Sequence, residues 1–223
     1  MPRAARSAEG GVVYHVFNGA NSRDPLFRKE QDYADFIELL SEGKKHARVD
    51  VFGFCLMPDH WNLVLRPRGD GDLSKYLSWV SNTHVKRYRA QHPKTSGHLY
   101  QGRYKSFPVK PDEHLLAVLR FVETSPLRAK IVKKAERWRW SSAGASALEE
   151  AAGLCSSLPV KRPRKWLVFV NESVEGTELD SLQTSLKRDR PYGPALWVQR
   201  TADRMGLLHT LRPRGRPALV KKK

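Results

Sequence analysis

Cysteine is scarce. Cys55 and Cys155 are the only two in 223 residues, and they stand far apart with no CxxC spacing. That excludes a disulfide framework and a zinc knuckle, and with no signal-like apolar leader it points to a cytoplasmic protein. Long apolar runs are also missing. The longest candidate, near Leu115–Leu119, falls well short of the roughly 20 residues a membrane helix needs, so no membrane partner is expected. The most informative scarcity is acid: 23 Asp and Glu stand against 40 Lys and Arg, a formal net charge of +17. An excess of this size favours polyanionic partners.

The acid deficit is local. Between Leu73 and Pro111 there is no Asp or Glu, but there are Lys75, Lys86, Arg87, Arg89, Lys94, Arg103, Lys105 and Lys110. Tyr76, Trp79, Tyr88, Tyr100 and Tyr104 are interleaved with them. Cations for phosphates beside flat rings for bases are the composition of a nucleic-acid surface.

Periodicity gives the organisation. Val12–Asn18 alternates as a first strand, and Gln31–Ala47 carries Phe36, Ile37, Leu39 and Leu40 at helical spacing. Val49–Met57 and His60–Arg66 read as two strands of a hairpin turned at Pro58-Asp59. Asp72–Gln91 is a second helix with Asp72 as its expected N-cap, Tyr104–Val109 a fourth strand, and His114–Thr124 a third helix, stopped by Pro126. The order β-α-β-β-α-β-α predicts an α+β fold: a ferredoxin-like antiparallel sheet with helices on one face. The pattern weakens after Trp140. The expected division is a domain over 10–148, a small helical C-terminal appendage over 149–210 with helices near 174–188 and 194–205, and a basic tail over 211–223. In the tail, Arg212-Pro213-Arg214-Gly215-Arg216-Pro217 is AT-hook-like, with Arg214 and Arg216 placed for a narrow minor groove. A plain basic tail fits the same residues.

The stretch MPDHWNLVL, Met57–Leu65, carries the chemistry. Alternation from His60 to Leu65 places His60 and Asn62 on one face, away from Trp61. Two imidazoles so placed would be half of a metal site; one imidazole and one amide make a poorer pair.

The run FCLMPDHWNLVL, the later GHLYQGRYKSFPV, the helix HLLAVLRFVETSPLRAKIV and the closing WRWSS resemble, in order and spacing, the REP-associated tyrosine transposases, members of the HUH-type single-strand DNA transposases. The resemblance covers about residues 10–145, and PALWVQRTADRMGLLHTLRPRGRP is similar to tails found in some of these proteins. It implies a ferredoxin-like domain that binds REP-like DNA hairpins and cleaves an adjacent single strand. In such proteins a tyrosine hydroxyl attacks a phosphodiester to leave a phosphotyrosine, and a divalent magnesium or manganese ion held by histidines polarises the phosphate.

Carried over by position, the first metal histidine falls on His60, the second on Asn62, the nucleophile on Phe121 and a further polar ligand on Ser125. Asn62 and Ser125 retain an oxygen, whereas Phe121 has none with which to form the bond. The expected phosphate contacts are Lys86, Arg87, Arg103, Lys105 and Arg120, with Asn82 and Gln101 as base readers. His15 is either a second imidazole for a metal or a structural histidine. The expectation is a protein that binds hairpin or single-stranded DNA with strand cleavage lost or weakened. Two alternatives stay open: an active metal-dependent transposase using Tyr88, Tyr100 or Tyr104 as a displaced nucleophile, and an RNA-binding protein, since RNA-recognition modules share this strand order. A homodimer is also open, because the family includes monomers and dimers.

Overall fold

Alternation in Val13–Gly19 (β1) sends Tyr14, Val16 and Asn18 to one side and Val13, His15 and Phe17 to the other, and every other element is placed by that division. The structure is a computed structural model and describes residues 8–21, 25–144, 151–172 and 176–212. Helix α1 is Glu30–Gly43; strands β2, Val49–Met57, and β3, His60–Pro67, follow, then α2, Asp72–Gln91, and β4, Lys105–Val109. The strands form one antiparallel sheet in the order β2-β3-β1-β4, a ferredoxin-like arrangement. The β2–β3 hairpin closes at Pro58-Asp59, with Met57 opposite His60.

The apolar stripes of α1 and α2 cover the Tyr14, Val16 and Trp61 face through Phe36, Ile37, Leu40, Leu73, Tyr76 and Leu77. The expectation of helices on one face thus holds for the two inside the β-α-β-β-α-β unit. Helix α3, Glu113–Glu123, follows that unit and lies on the second face, where Leu115, Val118, Leu119 and Val122 meet Phe52, Val64 and Phe107. Its seat depends on Gly53: a Cβ there would stand 2.6 Å from Leu119 Cδ2. The β2–β3 register shifts between Val51 and Gly53, so Phe52 is the additional residue of a bulge.

Two terminations differ from expectation. Gly71, at φ 80°, is the N-cap of α2, and Asp72 is the first helical residue, its carboxylate accepting from Gly69 N–H at 2.9 Å. A left-handed turn there requires a residue without a Cβ. Pro126 does not end α3, which stops at Glu123; Pro126 lies in the first turn of a short helix, α4, Ser125–Arg128, where its missing N–H costs nothing.

Beyond residue 150, α5 (Trp166–Asn171), α6 (Gly176–Arg188) and α7 (Ala195–Arg204) follow. Residues of α5 and α6, Trp166, Val170 and Leu182, join the core under α3. The chain also pairs with both sheet edges. Tyr192 N–H donates to Pro108 O at 2.8 Å and Tyr192 O accepts from Lys110 N–H at 3.0 Å. At the other edge Ser156 N–H donates to Val51 O and Ser142 N–H to Phe54 O, while Leu56 N–H reaches Trp140 O. Among the described residues no helix is long and apolar enough to cross a membrane.

Candidate nucleic-acid interface

The row of residues across the second face is set by register: Lys105, Phe17 and Asn62 stand opposite one another, as do Phe107, His15 and Val64. His60, one step along β3 at the turn, has its ring 5.2 Å from that of Phe17. Its Nδ1 bonds Asp59 Oδ1 at 2.7 Å, which leaves Nε2 as its outward group. His60 is a quarter exposed, whereas Asn62 and His15 are buried.

Asn62 is occupied. Its Oδ1 lies 3.0 Å from His15 Nε2, and the natural reading is an N–H of a neutral imidazole donating to the amide oxygen. Burial holds the His15 imidazole down to about 4; the Asn62 bond opposes that weakly, and the charges of Arg128 and His60 reinforce it. His15 Nδ1 has no hydrogen-bond partner and its ring lies against Phe107, 4.8 Å between centroids. Burial and the Asn62 bond suit the structural one of the two roles open to this side chain.

Phe121 comes to this place from α3, buried, its ring 6.2 Å from that of His15. The Arg128 guanidinium lies over it at 4.2 Å. Arg128 closes the end of α3: Nη1 donates to Phe121 O at 2.6 Å and to Thr124 Oγ1, and Nη2 donates to Ser125 Oγ at 3.1 Å. Ser125 Oγ in turn donates to Phe121 O at 3.3 Å. Partial burial lowers Arg128 to about 10, which leaves it charged near neutrality.

These residues do not fit a divalent metal. One ring nitrogen of His60 is available, but the Asn62 oxygen is bonded to His15 and the Ser125 hydroxyl is bonded to a guanidinium whose charge repels a second cation. Among the described residues the one group of three or more His, Cys, Asp or Glu side chains within metal reach is Asp112, Glu113 and His114. That trio is the start of α3: Asp112 caps the helix by accepting from His114 N–H at 3.0 Å and is paired with Lys110 at 2.7 Å.

The three alternative tyrosines are engaged. Tyr100 accepts from Trp61 Nε1–H at 3.1 Å and meets His84 Nδ1 at 2.5 Å; burial raises its phenol, the opposite of an activated nucleophile. Tyr88 donates to Pro25 O and accepts from Arg28 Nε–H. Tyr104 OH lies 3.4 Å from Ser74 Oγ. Tyr88 and Tyr100 belong to the α1–α2 core, across the sheet from Asn62.

The cations divide. Lys86, Arg103 and Lys105 are exposed, as are Asn82 and Gln101. Arg87 pairs with Glu42 at 2.7 Å and keeps 39% of its side chain exposed. Asn82 and Arg103 come together on a groove of about 410 Å³ between α2 and the loop before β4. Arg120, expected at the phosphate surface, is buried instead: it donates to Glu172 O at 3.0 Å, pairs with Glu178 at 3.5 Å and lies over Phe169 at 4.2 Å. The appendage, rather than solvent, surrounds it. Arg214 and Arg216 lie outside the described residues. Sequence reasoning missed Arg128, whose only signal is a cation just past the helix end, where carbonyls collect.

The family described as IS200-like transposase matches residues 10–125. No curated protein matches the sequence. A solved structure of a REP-associated tyrosine transposase bound to a REP hairpin aligns with a TM-score of 0.55 at 14% identity, covering 79% of this chain and 100% of that one. That likeness is one of fold.

Proposed function

The chain belongs to the IS200-like transposases, and from that premise we propose that it is a DNA-binding protein of the REP-associated branch that grips hairpin or single-stranded DNA without cutting it. The observation that carries this reading is the pairing of Phe121 with Arg128: at the nucleophile position stands a hydrocarbon ring under a guanidinium. Phosphoryl transfer to protein needs an oxygen that can approach phosphorus in line, and a benzyl ring offers none.

The binding half of the reading is supported by the exposed Lys86, Arg103 and Lys105 with the half-exposed Arg87, which sit in the acid-free stretch and are the cations proposed for the phosphates. Asn82 and Gln101 read bases. The similar fold of a protein solved with a REP hairpin makes a folded strand the first ligand to try. With Nδ1–H held by Asp59, His60 donates from Nε2–H to a phosphate oxygen at the rim when its ring is protonated, and no step of binding passes through a metal.

Mobility shifts with a REP-like DNA hairpin, the corresponding duplex and an RNA hairpin of equal sequence test this. The DNA hairpin is expected to bind at least tenfold tighter than duplex or RNA. Equal or preferred binding of RNA would replace this reading with RNA recognition.

A further inference from the structure

The groove between α2 and the loop before β4 has a mostly neutral lining that phosphate binding does not explain. We propose that it holds one unpaired nucleobase of the bound DNA, an inference that rests on the DNA-binding reading. The volume, about 410 Å³, falls in the range of small-ligand sites and admits a nucleotide but not a helical stem.

The chemistry of its lining is that of a base site. Ser81 Oγ is buried in the lining with no hydrogen-bond partner, a condition that costs free energy unless a ligand relieves it. Asn18, also in the lining, is buried; its Oδ1 accepts from Gly19 N–H at 3.0 Å, and among the described residues its NH2 makes no hydrogen bond. Neutral donors and acceptors of this kind match the edge of a base, whose groups are also neutral. The walls are flat or apolar, with the half-buried Tyr104 ring and Leu77, and a phenol ring is a stacking surface for any base. Arg103 stands exposed in the lining, a cation for the phosphate of an extruded nucleotide, and the exposed Asn82 beside it offers an amide to the base edge. Among the described residues no carboxylate lines the groove, so none of them repels a polyanion there.

The test uses the full chain and a DNA hairpin with a short loop and a single-stranded flank. Each unpaired base is replaced in turn by 2-aminopurine, to read stacking by fluorescence quenching, and by an abasic site, to read affinity. One position is expected to be quenched on binding, and its abasic form to bind about tenfold more weakly, the scale of one base–aromatic stack. Ser81→Leu, which fills the floor, and Tyr104→Leu, which removes the stacking face, should each bind the intact hairpin as weakly as the wild type binds the abasic one. Neither should distinguish the two hairpins.

Wild-type protein that binds every abasic hairpin as tightly as the intact one overturns the proposal and leaves hairpin binding standing. So does capture of a free deoxynucleotide by the groove with no abasic effect, which would make it a small-molecule site. Failure to shift any DNA overturns both the proposal and the reading beneath it.

Discussion

His15 and Phe121 show how single side chains decide what this site can do. Burial holds His15 down to about 4 and His84 down to about 3, from an ordinary 6.5. As pH falls, the unfolded chain takes up these protons before the folded one. The stability both confer is therefore complete above about pH 6.5 and is lost as pH falls toward 4 and then 3. Urea denaturation across that window should show stability falling, and His15→Gln should flatten the slope above pH 4 by roughly 3 kcal/mol in total. Glu123, a buried carboxyl raised by burial, acts in the opposite direction in both proteins, so the difference isolates the imidazole. Identical slopes would mean that His15 is not held neutral. Arg128 is the other residue with a measurable role: Arg128→Met keeps the aliphatic stem and loses three hydrogen bonds at the end of α3. It should cost about 1–3 kcal/mol in the same denaturation experiment; an unchanged midpoint would remove Arg128 as the cap.

At the scale of elements, what the sequence made legible was whatever local spacing controls. Alternation and the Pro58-Asp59 turn were enough for the β2–β3 hairpin, and the hairpin was enough to place His60 and Asn62 on one face. Only the family resemblance links Phe121 to this site in the sequence, since nothing local ties α3 to β3. The His15–Asn62 bond depends on inter-strand register, which strand alternation leaves open. Arg120 was misplaced for a related reason. Its surroundings, Glu172, Glu178 and Phe169, are distant in sequence, and α5 is six residues long, too short for a period to declare itself. The elements also bear on assembly. Both sheet edges are paired with the chain's own later segments, so edge strands that could recruit a second copy are already used. Sedimentation equilibrium at micromolar concentration should give a monomer. A dimer would show that association uses another surface and that the edges are not what governs it.

For the whole molecule, charge and shape work separately. A net charge of +17 supplies attraction to any nucleic acid, and its signature is salt dependence. If Lys86, Arg87, Arg103 and Lys105 each neutralise a phosphate of a single strand, they contribute a slope of about −3 to log affinity against log salt, and Lys86→Ala should reduce its magnitude by about 0.7. A slope unchanged in that variant would move the contact surface elsewhere. The sheet and α3, by contrast, bring Asn62, His15 and Phe121 together, at the positions where the family resemblance implies a metal ligand and an oxygen nucleophile. This chain fills that place with a ring, an occupied amide and its own guanidinium.

Whether protein and DNA ever become covalently joined separates binding from cleavage most directly. End-labelled REP-like hairpin carrying a single-stranded flank, incubated with the protein in manganese and resolved under denaturing conditions, should return as full-length DNA with no label on the protein. A labelled protein band accompanied by a shortened strand would mean that some side chain supplies the missing oxygen, and the assignment of a binding protein without cleavage would be wrong.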